Sequence, residues 1–220
     1  PRVPAGRSPH CKWRVLIEPD ATPIEERDIT RVMRSTALAQ IELERPPAVQ
    51  ESGLDYYDGP VCETLQLERF SRQALAVICK ELAVQIHLLV NSLGMVIAER
   101  YGAEAGRAVS AFQFAGSAWV VSERLARLLG HESGGIDAIV DVLGIHPAFQ
   151  PVEYFGLEVE KTGEGAARIS FNRGAASHEG IPLGWYPLLQ AGDAAGLEAL
   201  VRGVDATAVL EPVAGRDMAW

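Results

Sequence analysis

"QIHLLVNSLGMVIAERYG", residues 85–102, lies in the most apolar run of the chain, yet it carries His87 and Asn91 four apart, with Gly94 one turn on. Around it, Leu75, Ile78, Leu82, Ile86, Leu89, Leu93 and Val96 follow a three-four spacing. That spacing predicts one long core-facing helix over about residues 68–101. Apolar residues nearly encircle it from Val84 to Ala98, so it is expected at the centre of the fold and mostly buried. Gly102 stands where a helix C-cap would.

Downstream, a second helix is expected over about 103–129, with Val109, Phe112, Gly116, Trp119, Val120 and Glu123 on one side and Gly130 closing it. "SGGIDAIVDVLGI" predicts a third, short helix that ends before the turn at His146-Pro147. The last third alternates instead. In "YFGLEVEKTGEGAARISFNRG", Leu157 and Val159 are separated by glutamates, "TGEG" supplies a turn, and Ile169 and Phe171 return. That is a hairpin pattern. "SHEGIPLGWYPLLQAGD" reads as a loop, "DAAGLEALVRGVD" as a short amphipathic helix capped by Asp193, and "ATAVLEPV" as a final strand.

Upstream, "CKWRVLIEP" and "ALAQIELERPP" alternate like strands, and the stretch between them is either a short helix or an irregular connection. The expected organisation is therefore residues 1–47 as N-terminal strands that join the sheet or form a small separate unit. A Pro-, Gly- and acid-rich linker follows at 48–64, then a helical layer with a sheet over 65–220. This order defines an α+β class: long helices packed against a mostly antiparallel sheet.

Composition narrows the partners. Twenty Lys and Arg against 29 Asp and Glu give a net charge of −9, which argues against nucleic acid and against docking on anionic lipid. No uninterrupted run of 18 apolar residues exists; His87, Asn91 and Ser92 break the nearest one, so no membrane span is expected. The N-terminus shows no signal-peptide pattern, and Cys11, Cys62 and Cys79 are odd in number and lack CxxC spacing. Reduced thiols in a cytoplasmic setting are expected, with no metal and no cofactor. A homodimer and a place in a larger complex both stay open.

Four places carry candidate chemistry. His87 and Asn91 share a helical face with Gly94, so they are either hydrogen-bonded core residues or the polar lining of a ligand pocket. Trp119 and Glu123 are four apart; Glu123 either orients His87 or pairs on the surface with Arg124 or Arg127. Tyr56 and Tyr57, in "LDYYDGP", either lid an apolar cavity or plug the join between sheet and helices. His178 and Glu179 precede Trp185 in a glycine-rich loop and are a candidate hydrolytic pair, although His-Glu alone falls short of the HExxH metal motif.

The phrases "LLVNSLGMVIAERYG", "FGLEVEKTGEGAARISFNR" and "GLEALVRGVDATAVLEP", in that order, resemble a group of bacterial proteins. These are the L-2-amino-thiazoline-4-carboxylate hydrolases and the hydrocarbon-binding, four-vinyl-reductase-type domains. The likeness covers about residues 65–213. It implies a helix bundle against a twisted antiparallel sheet, with a small organic molecule held between them. Members commonly carry cysteines in the C-terminal half, whereas this chain has none after Cys79, which counts against a thiol- or metal-dependent activity there. The expectation is a binder of a small, largely apolar organic molecule near His87. The alternatives are a hydrolase or lyase using His87 or His178 as base, and a non-catalytic assembly subunit.

Overall fold

Ser71 starts the long helix: its hydroxyl accepts the Ala74 amide at 3.1 Å, and α2 then runs from Arg72 to Tyr101. In the computed structural model, which describes residues 16, 18–44, 52–57, 59, 66–172, 174–181, 183–213 and 218–220, only a single residue separates α2 from α3, Ala103–Leu128. That residue is Gly102, at φ 93°, a conformation other residues rarely adopt. The two helices therefore form an antiparallel hairpin.

The hairpin packs through small residues. Gly106, Ser110, Ala118, Ser122 and Ala126 are the buried positions of α3. A Cβ on Gly94 would sit 2.8 Å from the Ser110 hydroxyl, and one on Gly106 would sit 2.8 Å from the Ala98 methyl. On its other side α3 receives α7, Ala195–Val204, where Gly203 lies against the Trp119 backbone and Gly196 against the Phe114 ring. These glycines set the helix separations.

This arrangement corrects the expected burial. Of the thirty residues of α2 only Ala83, Val84, His87 and Gly94 are buried, and Leu82, Ile86, Leu89 and Leu93 are exposed. The side of α3 that carries Val109, Phe112, Gly116, Trp119, Val120 and Glu123 also points outward. The hydrophobic core is built instead from aromatic residues of the segments that follow. Trp185 stacks on Phe114 with ring centroids 5.1 Å apart and meets Phe149 edge-on at 5.4 Å; Phe155, Phe171 and Tyr186 complete the cluster.

The sheet is small. β1, Leu157–Gly163, pairs antiparallel with β2, Ala166–Phe171, in the register Leu157 to Phe171 and Val159 to Ile169, as the alternation predicts. The expected last strand at 206–213 does not form. The chain end takes its place, with Trp220 and Ile169 exchanging amide hydrogen bonds at 2.7 and 2.9 Å.

Other elements are short. α4, Ile136–Ile145, agrees with the pattern, and α5, Val152–Phe155, follows it. The segment expected as a loop, 177–193, contains α6, Trp185–Gln190, and the end of a 3-10 turn, Ala175–His178. Residues 38–44, expected as a strand, form a turn and an irregular segment after α1, Asp28–Arg34, which resolves the ambiguous connection as a helix. Of the strand expected at 11–19, most residues lie outside the described ones. Leu38, fully buried, inserts from this region into the main core, and Leu54 bridges to Phe70 just before α2.

Candidate functional site

His87 sits on the inner face of α2, 7% exposed, with its Nε2 3.2 Å from the Pro147 carbonyl and 3.1 Å from the Gln150 carbonyl. Two acceptors on one nitrogen place the proton there and leave Nδ1 as an acceptor. Phe155 meets the ring edge-on at 4.8 Å. Burial pushes its pKa down to about 4, against the weaker opposite pull of the two carbonyls.

A second buried imidazole stands beside it. His146 ends α4 and accepts the Ala148 amide at Nδ1, 3.1 Å away, which caps the short 3-10 turn at 147–149. The Ala118 backbone nearby favours the protonated ring, but Nε2 is buried without a hydrogen-bond partner. Burial again dominates and, with the nearby His87, lowers its pKa to about 4.

The cleft next to His87 is lined by Asn91, Tyr154, Glu179, Trp185 and Leu38, among others. Glu179 organises its mouth. One carboxylate oxygen accepts the Ala37 amide at 2.6 Å, and the other accepts the Leu38 amide at 3.1 Å and the Tyr154 hydroxyl at 2.7 Å. Burial, followed by the Glu179 contact, raises the Tyr154 phenol far above its ordinary range. With Leu38 seated, the free volume is about 30 Å³. That accommodates about one water, and small-molecule sites occupy roughly 300–1,000 Å³.

The cleft thus unites His87, Asn91, Glu179 and Trp185, but not the other candidates. Gly94 is covered by Ser110 and Leu183 and does not open a wall. Glu123 pairs with Arg127 at 2.8 Å on the surface and is no partner of His87. Trp119 faces outward, and Tyr56 borders a separate depression with Phe70, Val77 and Ile78. Tyr57 is partly buried beside Gly59. His178 is exposed while its neighbour Glu179 turns inward. His131 bonds to Asp141 at 2.8 Å, and among the described residues no three His, Cys, Asp or Glu side chains cluster to hold a metal. Sequence reasoning did not find Leu38, Tyr154 and His146 as parts of this site.

The other distinctive surface is the outer side of the α2–α3 hairpin. Leu82, Ile86, Leu89 and Leu93 run along α2, and Val109, Phe112, Trp119 and Val120 along α3, all turned away from the aromatic core. Leu89 is 71% exposed and Phe112 84%. No protein-family model matches the chain, and no curated protein or solved structure is significantly similar to it.

Proposed function

We propose that the chain is an assembly subunit that works by contact through the outer face of the α2–α3 hairpin. The observation that carries this reading is the size of that face. Its eight large side chains leave on the order of 800 Å² exposed, about the area one partner contributes to a standard interface and above the largest patch of a typical monomer. The test is a photo-crosslinking amino acid placed at Phe112 or, as control, at the exposed polar Gln85. A discrete protein adduct formed in the producing cell at 112 and not at 85 is expected. Equal or absent adducts count against the reading.

A second reading is favoured by the convergence of His87, Asn91, Tyr154 and Glu179 under Leu38. Displacement of Leu38 would turn the closed cleft into a site for a small, largely apolar molecule with one polar group, as the family resemblance implies. Native mass spectrometry tests it. A retained small-molecule mass that is lost in Asn91→Leu supports the reading, and the bare chain mass in both proteins opposes it.

A further inference from the structure

The contact face has a shape as well as an area. Ser110 packs beside Gly94, and Gly106 beside Ala98. Stepping along the two antiparallel helices from those contacts brings Leu89 level with Gly116 to within about one residue. Leu89 is the most exposed apolar side chain on the α2 side. Gly116 is exposed, with no atom within 4 Å of where its Cβ would be, so it leaves a notch between Phe112 and Val120. The face carries a knob on one helix and a hole at the same height on the other.

Resting on the assembly reading, we infer that the occupant of this face is a second copy of the chain. The two copies are related by a two-fold axis parallel to the helices, so that the two hairpins make a four-helix bundle. This axis places each Leu89 against the partner copy's Gly116 twice over, as an isologous interface requires. A two-fold axis across the helices would set leucine on leucine and leave the glycine notches empty. The exposed area per copy is what a stable dimer needs, and helix pairs with interlocking side chains pack in this way.

Other occupants fit less well. α2 is long and apolar enough by length and composition to cross a membrane. Its inner side, however, is anchored by the Lys80–Glu153 ion pair and by His87 on two backbone carbonyls, so the helix cannot turn all its sides to lipid. A net charge of −9 opposes adsorption on an anionic bilayer. On the α3 side, Glu123 and Arg127 neutralise each other.

Sedimentation equilibrium of the full chain, over about 1–100 µM, tests this by exchanging knob and hole. The parent chain is expected to be a dimer. Gly116→Leu, at a solvent-facing helical position where leucine is a better helix former, should stay folded by circular dichroism and weaken dimerisation more than about tenfold. Adding Leu89→Ala to Gly116→Leu should restore it. A parent chain that stays monomeric throughout overturns the inference, as does a dimer indifferent to Gly116→Leu or one not rescued by Leu89→Ala. A monomer that still crosslinks to another protein through position 112 removes the second copy while leaving the assembly reading standing.

Discussion

Tyr154 donates its hydroxyl to Glu179 across 2.7 Å, and the same carboxylate holds the backbone amides of Ala37 and Leu38. One side chain thus fastens the segment after α1 to α5 and to the aromatic core. Glu179→Ala leaves three donors without their acceptor and is expected to cost about 2–3 kcal/mol. Tyr154→Phe, which removes one bond, should cost about 1 kcal/mol. Urea unfolding measures both, and tryptic cleavage at Arg31 and Arg34 should accelerate in Glu179→Ala. Unchanged cleavage would show that something other than this carboxylate holds the segment.

Acid should weaken the protein through its two buried imidazoles. Their pKa values lie near 4 in the fold, against an ordinary 6.5. Between those values the unfolded chain binds more protons, so stability is complete above about pH 6.5 and is lost as pH falls toward about 4. The loss is on the order of 3 kcal/mol per ring. His87→Leu should lower stability at pH 7.5 by about 1–3 kcal/mol, because the Pro147 and Gln150 carbonyls lose their donor. The same variant should flatten the acid limb. Chemical denaturation from pH 8 to 4 reads both effects, and an unaltered pH slope in the variant contradicts the assignment.

Glycine in α7 is there for closeness. A Cβ on Gly203 would lie 2.5 Å from the Trp119 carbonyl oxygen, a backbone atom that cannot swing aside. Gly203→Ala is expected to destabilise by about 1–3 kcal/mol. Gly144→Ala, in α4 with open space around it, should instead stabilise by up to about 1 kcal/mol. Thermal melts of the two variants should move in opposite directions; shifts of the same sign would mean that α7 does not pack on α3 as described.

These faces were only partly legible in the sequence. The extent of α2 followed from periodicity and Gly102, though its start was set about four residues early because the Ser71 cap was not recognised, and the β1–β2 hairpin followed from strict alternation around Glu164-Gly165. The buried side of α2 was not readable, because apolar residues surround the helix and periodicity then has no preferred direction. On α3 the core side was not read from the sequence, because the positions used for close packing are small: Gly106, Ser110, Ala118, Ser122 and Ala126. His87 and Asn91 did mark a polar spot beside the core. Its other half was hidden, since Glu179 meets Ala37 and Leu38 from some 140 residues away along the chain. Trp185 and Tyr186 looked like loop residues because of the glycines and prolines around them, and they became core once α6 formed.

The outer face of the α2–α3 hairpin is where the account is most exposed to test, and hydroxyl-radical footprinting of Phe112 reads it directly. In the parent chain at tens of micromolar, Phe112 should be protected despite being 84% exposed in the single chain. In Leu89→Lys, which places a charge in the middle of the face and keeps the fold, Phe112 should become several-fold more reactive. Equal, high reactivity of Phe112 in both proteins would contradict the claim that this face is a contact surface.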